Sequence, residues 1–266
     1  MGKIISFANQ KGGVGKTTTC INLAAYLSFM EKKVLVVDMD PQGNATTGLG
    51  VEKTQETSTL YDAISGNVTL QEVIKKTAIK NLDIVPATVD LAGAEIELVS
   101  MKAREKIVKS LLQTVKAQYD YILIDCPPSL GLLTINALTA SNSVAIPIQC
   151  EFLPLEGLSQ LMNTIKLVKK HLNPEIDIEG VILTMKDDRS NLIQQVSHEI
   201  QRYFGEKVYK TSIPRNVRLA EAPSHGQPIV MYEARSKGGI AYYELAQEFL
   251  DRNKDSYKRI TNIFKK

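Results

Sequence analysis

Two hydrophobic rhythms alternate along the chain. Short unbroken apolar runs read as buried strands: KIISFA (Lys3–Ala8), KKVLVVDMD (Lys32–Asp40), YDYILIDCPP (Tyr119–Pro128), NSVAIPIQC (Asn142–Cys150) and IDIEGVILTM (Ile176–Met185). Between them apolar residues recur at helical spacing. This predicts helices over Thr17–Met30, Leu132–Ala140, Leu155–His171, Gln194–Tyr203 and Gly239–Arg252, and a long one over Asp90–Lys116 interrupted near Ser100. PQGNATTGLG (Pro41–Gly50) reads as a loop from its Pro, Gly and Asn content. Strands alternating with helices predict an α/β fold: a mostly parallel, twisted sheet with helices on both faces. In such sheets ligands bind beyond the carboxyl ends of the strands. Phe7–Asn9, Asp38–Asp40 and Asp125–Pro128 all lie at such ends, so three chemically loaded loops should share one crevice.

A chain of 266 residues, 44% of them apolar, has material for one large domain spanning 1–266. The net charge is only +3, but it is uneven: Asp251–Lys266 holds six basic and two acidic residues, leaving the remainder at −1. That tail, about 251–266, reads either as a solvated terminal helix or as a polyanion contact. Cys20, Cys126 and Cys150 show no C-x-x-C spacing and sit in apolar runs, which suits buried thiols in a reducing cytosol. The start of the chain does not read as a signal peptide, and no stretch approaches the ~20 apolar residues of a membrane span.

The strongest chemical signal is FANQKGGVGKTT (Phe7–Thr18). Gly12, Gly13 and Gly15 allow a tight turn whose N–H groups, with Val14 and the helix N-terminus, suit a triphosphate. Lys16 would reach the β- and γ-phosphates, and the hydroxyl of Thr17, beside Thr18, would face Mg²⁺. Asp125 ends an apolar-apolar-apolar-Asp strand, the Walker B arrangement, and suits the metal. Asp38 and Asp40 lie two apart, so strand alternation would put both on one side, one for the metal shell and one for the attacking water.

The ordinary phosphate-loop pattern asks for glycine where this chain has Gln10, and it carries one lysine rather than two. The loop KGGVGKTT is a deviant Walker A motif, and here the chain resembles the ParA/Soj family of partition ATPases, within the larger group that includes MinD. VLVVDMDPQGNATTGLG, YDYILIDCPPSLGLLTINAL and IPRNVRLAEAPSHGQPI extend the likeness over nearly the whole length. The resemblance implies a P-loop ATPase using ATP and Mg²⁺. It makes Lys11 a signature lysine that crosses to the partner's ATP in an ATP-dependent sandwich homodimer. It makes Asp40 the residue positioning the hydrolytic water, Asp38 part of the magnesium environment and Asp125 the Walker B carboxylate. It sets Met185, Pro214 and Asn216 near the base.

The same resemblance implies sequence-independent binding of double-stranded DNA by the dimer, through positions matching Arg189 and Arg218, with Lys258, Arg259, Lys265 and Lys266 able to add phosphate contacts. A ParB-like centromere-binding partner would stimulate hydrolysis, and the protein would be cytoplasmic and nucleoid-associated. LTMKDDRSNL departs from the family with Lys186 and Asp188, the acid weakening Arg189 as a phosphate contact. The early first strand leaves no room for a separate DNA-reading domain. A MinD-like membrane-dwelling ATPase is the alternative: Ile260, Ile263 and Phe264 share a helical face among basic residues, though three apolar residues make a meagre anchor, and no stable membrane association is expected. A cluster-bearing reductase would need paired cysteines that Cys126 and Cys150 do not provide, and nothing marks a ligase's second substrate pocket.

Overall fold

A computed structural model describes residues 2–54, 57–150, 155–187 and 191–258. Its centre is a seven-stranded sheet: β1 (Lys3–Phe7), β2 (Val34–Asp38), β3 (Lys75–Lys76), β4 (Leu82–Val85), β5 (Tyr121–Asp125), β6 (Ser143–Gln149) and β7 (Asp177–Thr184), in the order β3-β4-β2-β5-β1-β6-β7. Every pairing is parallel except β3 with β4 at the edge. The two inner strands VLVVD and YILID are buried throughout, as expected of strands covered on both faces.

Successive residues divide between the two faces. Ile4, Leu35, Val37, Ile122 and Ile124 pack on one side; Ile5, Val34, Val36, Tyr121 and Leu123 pack on the other. On the second side lies the helix Lys16–Phe29, which is buried on nearly every face because the helix Lys237–Arg252 packs outside it. Tyr26 donates its hydroxyl to Gly239 O (2.7 Å), and Thr19 and Tyr242 share a hydrogen bond (3.1 Å) across the same seam.

Two differences from the sequence reading have physical causes. Pro41–Gly50 is not all loop: Asn44–Gly48 is a short helix. Asp38 nucleates it from outside, accepting both the Thr46 N–H (2.8 Å) and the Thr46 hydroxyl (2.7 Å). The strand β4 lies in a segment too short and polar to signal one. Its Asp83 is tolerated because the Tyr119 hydroxyl and Lys76 ammonium both reach it at 2.8 Å. The helical segment Asp90–Lys116 is interrupted at Ser100 as expected, giving Leu91–Ser100 and Ile107–Gln113, separated around the left-handed Ala103 (φ 51°).

What positions the site is register. Asp125 is the Cα partner of Phe7 on one side and of Asp38 on the other. The adjacent strands β2, β5 and β1 therefore end level, and their loops emerge side by side.

Candidate phosphate-binding site

The loop after β1 takes its shape from Gly13 (φ 72°) and Gly15 (φ 85°). A side chain in that left-handed region would cost roughly 1–2 kcal/mol. Gly15 is also the N-cap of the helix Lys16–Phe29, whose first turn carries no acid. The unpaired N–H groups and the dipole of that turn therefore favour an anion. Two residues to which the sequence reading gives no role pin the loop. Asn9 donates to Pro147 O (2.8 Å) and accepts the Lys11 N–H (3.0 Å); Thr184, ending β7, donates its hydroxyl to Val14 O (2.8 Å).

The two lysines of the loop differ. Lys16 is only 6% exposed, and its Nζ donates to the carbonyl of Lys11 (3.2 Å). Burial lowers its pKa, opposed by the neighbouring carboxylates of Asp125 and Asp40. The side chain of Lys11 is exposed beside Gly12 and Gly13.

The three carboxylates are buried but not equivalent. Asp38 is fully buried and already accepts three hydrogen bonds, two from Thr46 and one from the Asp40 N–H (3.2 Å). Burial pushes its pKa up to about 6. The strand ends at Asp38, so alternation does not carry on to Asp40, whose Oδ1 closes a turn by accepting the Gln42 N–H (3.0 Å). Asp125 accepts the Thr17 hydroxyl on Oδ2 (2.6 Å), while Oδ1 is buried with no hydrogen-bond partner. Burial, then repulsion from Asp38, raises its pKa well above the usual carboxylate range. Thr17 and Asp125 thus present oxygen donors of the hard kind that suits Mg²⁺, with one oxygen unsatisfied. Among the described residues no cluster of three or more His, Cys, Asp or Glu could hold a metal alone.

An expected outcome follows for stability. The folded protein favours protonated Asp125, so ionisation of that group costs stability as pH rises above the unfolded-state value near 3.8. Asp125→Asn should therefore stabilise the nucleotide-free protein by about 1–3 kcal/mol near neutral pH, and progressively less as pH falls towards 4. The same substitution should remove most of the added stability conferred by Mg²⁺ with ATP. Calorimetric melts of both proteins, with and without Mg²⁺ and nucleotide, check both signs.

Beside the loop lies a cavity of about 340 Å³ lined by Gly15, Thr18, Met185, Pro214, Asn216 and Tyr242 among others. It is walled by the segment after β7, which Lys186 N–H ties to Ile213 O (3.0 Å). Met185 adopts a left-handed backbone there (φ 50°), and Asn216 caps the helix Val217–Glu221 by accepting the Arg218 N–H (2.8 Å). Tyr242 was not legible as a lining residue, because only packing brings the helix Lys237–Arg252 there. Farther out, Arg218 pairs with Glu221 (2.8 Å) and Lys258 with Glu31 (2.9 Å). Arg189 and Arg259 lie outside the described residues, as do Lys265, Lys266 and the apolar tail positions. Among the described residues no helix is long and apolar enough to cross a membrane.

Residues 2–178 match the family described as AAA domain. The chain is 61% identical over 248 residues to the sporulation initiation inhibitor protein Soj of Bacillus subtilis, covering 93% of this chain and 98% of Soj. It is 53% identical over 253 residues to the chromosome partitioning protein ParA of Myxococcus xanthus, covering 95% and 89%. Among solved structures, cobyrinic acid a,c-diamide synthase from Mycobacterium smegmatis, with bound ADP and magnesium, superposes with a TM-score of 0.84 at 35% identity, covering 96% of each chain. The septum site-determining protein MinD of Pyrococcus horikoshii, complexed with Mg-ADP, superposes with a TM-score of 0.77 at 30% identity, covering 93% and 96%. The synthase and MinD share the scaffold at lower identity than Soj and ParA. Identity of 61% and 53% over nearly the whole of each chain makes this protein a member of the Soj/ParA family of chromosome-partitioning ATPases.

Proposed function

We propose that this chain is an ATP-driven switch of DNA segregation. ATP with Mg²⁺ joins two copies face to face, the pair binds duplex DNA without sequence preference, and hydrolysis, stimulated by a ParB-like centromere-binding partner, separates them. The observation that carries this reading is the opposed placement of two lysines in one loop. Lys16 is buried against its own loop backbone, whereas Lys11, five residues earlier, is exposed on the rim. An exposed cation beside a phosphate site can serve a neighbour's nucleotide, and its attraction grows as the two faces exclude water.

In this reading residues 1–266 act as one ATPase unit with a basic tail. Gly12, Gly13, Val14, Gly15, Lys16, Thr17 and Thr18 hold the phosphates, and Met185, Pro214 and Asn216 face the base. Thr17 and Asp125 would hold Mg²⁺, which would supply charge neutralisation to the phosphates; Asp38 would support that shell by shaping the loop. Asp40 orients water. Arg218 and Lys258 contact DNA phosphates from exposed ion pairs that are worth little in water, so a polyanion can displace Glu221 and Glu31. Arg189 and Arg259 belong to the same proposed contact, on a nucleoid-associated protein.

Lys11→Ala separates the two lysines. It should bind ATP within about threefold of wild type, because Lys16 and the loop N–H groups are intact, yet stay single and lose ATP-dependent retention on DNA. Light scattering and a DNA-retention assay, with ATP against ADP, check this. A Lys11→Ala protein that pairs normally overturns the proposal.

A further inference from the structure

The helix Leu91–Ser100 presents an apolar outer face. Val89 is 71% exposed, Ile96 77% and Val99 60%, and Ala92 is exposed beside them. Positions 92, 96 and 99 follow the spacing of a single helical stripe. The opposite stripe, Leu91, Ala94 and Leu98, is buried in the core. A face this apolar on both sides is that of a helix meant to be covered.

Its place in the fold says where the cover comes from. The helix follows the carboxyl end of β4, on the rim where the phosphate loop emerges. It is fastened at two points to the loops bearing the site carboxylates. The Ala87 N–H donates to Thr46 Oγ1 (3.0 Å), which donates in turn to Asp38 (2.7 Å). Glu95 accepts the Leu133 N–H (3.4 Å) in the segment that follows Asp125. Movement of either loop on nucleotide binding would therefore reach this helix.

The charge pattern identifies the occupant. Asp90, exposed at the start of the helix, and Lys102, exposed just past its end, flank Ile96 at equal distances in sequence. A two-fold axis at Ile96 would set two such helices antiparallel, with Ile96 on Ile96 at the centre. It would bring Asp90 of one protomer to the partner's Lys102 at each end. Isologous interfaces require this kind of self-complementarity.

We infer that the face formed by Val89, Ala92, Ile96 and Val99 packs on the same face of a second copy in the ATP-bound pair, extending the contact beyond the nucleotides themselves. This rests on the sandwich reading above. The test is sedimentation of the full chain with Mg²⁺ and a non-hydrolysable ATP analogue, comparing wild type, Ile96→Lys and Val99→Lys, with Leu167→Lys, a 60% exposed leucine on another helix, as control. Fluorescent-analogue binding and thermal melts are run on each. The expected result is doubling of mass for wild type and Leu167→Lys, and at least a roughly tenfold rise in dimer Kd for Ile96→Lys and Val99→Lys, with analogue binding to the single copy, read at high dilution, and nucleotide-free melting unchanged. Asp90→Lys and Lys102→Asp should each weaken pairing, and the double variant should restore it.

A wild type that stays single overturns the sandwich reading and this inference together. A wild type that pairs, with Ile96→Lys and Val99→Lys pairing equally well, overturns this inference alone. Loss of analogue binding by the single copy of these variants would assign the helix to the nucleotide pocket and overturn it too. Charge variants that weaken pairing without rescue overturn the two-fold arrangement.

Discussion

Lys16→Ala is expected to lower ATP turnover about a thousandfold and to abolish every ATP-dependent state of the protein. The size of the effect comes from where the ammonium sits. It is 6% exposed, and three carboxylates, Asp38, Asp40 and Asp125, are buried at the strand ends around it. Removing the only lysine buried among the described residues would leave a polyphosphate facing those acids with backbone N–H groups alone. Lys16→Arg should not restore activity, because a planar guanidinium does not replace a compact ammonium in a slot shaped by Gly13 and Gly15. The fold should survive: Lys16 makes one hydrogen bond, to its own loop, and burial already opposes its charge. The melting temperature without nucleotide should thus stay within a few degrees of wild type while phosphate release collapses. Turnover above a tenth of wild type would contradict the assignment.

Much of this architecture is written locally. The helices Leu132–Ala140 and Leu155–His171 match the periodic segments residue for residue, and β1, β2, β5, β6 and β7 fall inside the apolar runs. These elements are buried on broad faces, so composition and period carry the signal. Elements made by distant partners were not legible. The helix Asn44–Gly48 depends on Asp38, in the preceding strand, accepting two hydrogen bonds from Thr46. The strand β4 depends on Tyr119 and Lys76 satisfying Asp83.

The candidate site divides in the same way. The glycine loop and Asp125 stand out because tight turns and strand-end acids need particular residue types in sequence. Asn9, which ties the loop to Pro147 in β6, and Thr184, at the end of β7, brace that loop, and no local pattern marks a brace. Placing Asp38 and Asp40 on one side of the chain assumes a strand running through both. Because β2 stops at Asp38, one carboxylate turns inward to build a helix and the other closes a turn on the rim. Separate roles for the two acids are expected from the sequence; their different settings, one bound to Thr46 and one closing a turn, are visible only in three dimensions.

That division supports the second large effect. Asp40→Ala should keep ATP affinity near wild type but lower hydrolysis about a hundredfold or more. None of the groups assigned to holding phosphate or metal is touched, since Lys16, Thr17 and Asp125 keep their places. What is lost is the one carboxylate at the site whose hydrogen bonding is confined to its own turn, at 7% exposure. Such a group can accept a proton from, or orient, a water beyond the γ-phosphate, whereas Asp38 is occupied by Thr46. With hydrolysis blocked and pairing intact, the variant should accumulate as the ATP form and remain on DNA after wild type has left. Asp40→Asn separates shape from charge: it keeps an oxygen for the Gln42 N–H, so the turn persists, yet it should be nearly as slow as alanine. Phosphate release under single-turnover conditions, read beside DNA retention over the same interval, distinguishes the cases. If Asp40→Asn hydrolyses at the wild-type rate while Asp40→Ala does not, the residue serves the turn alone and the water is oriented elsewhere.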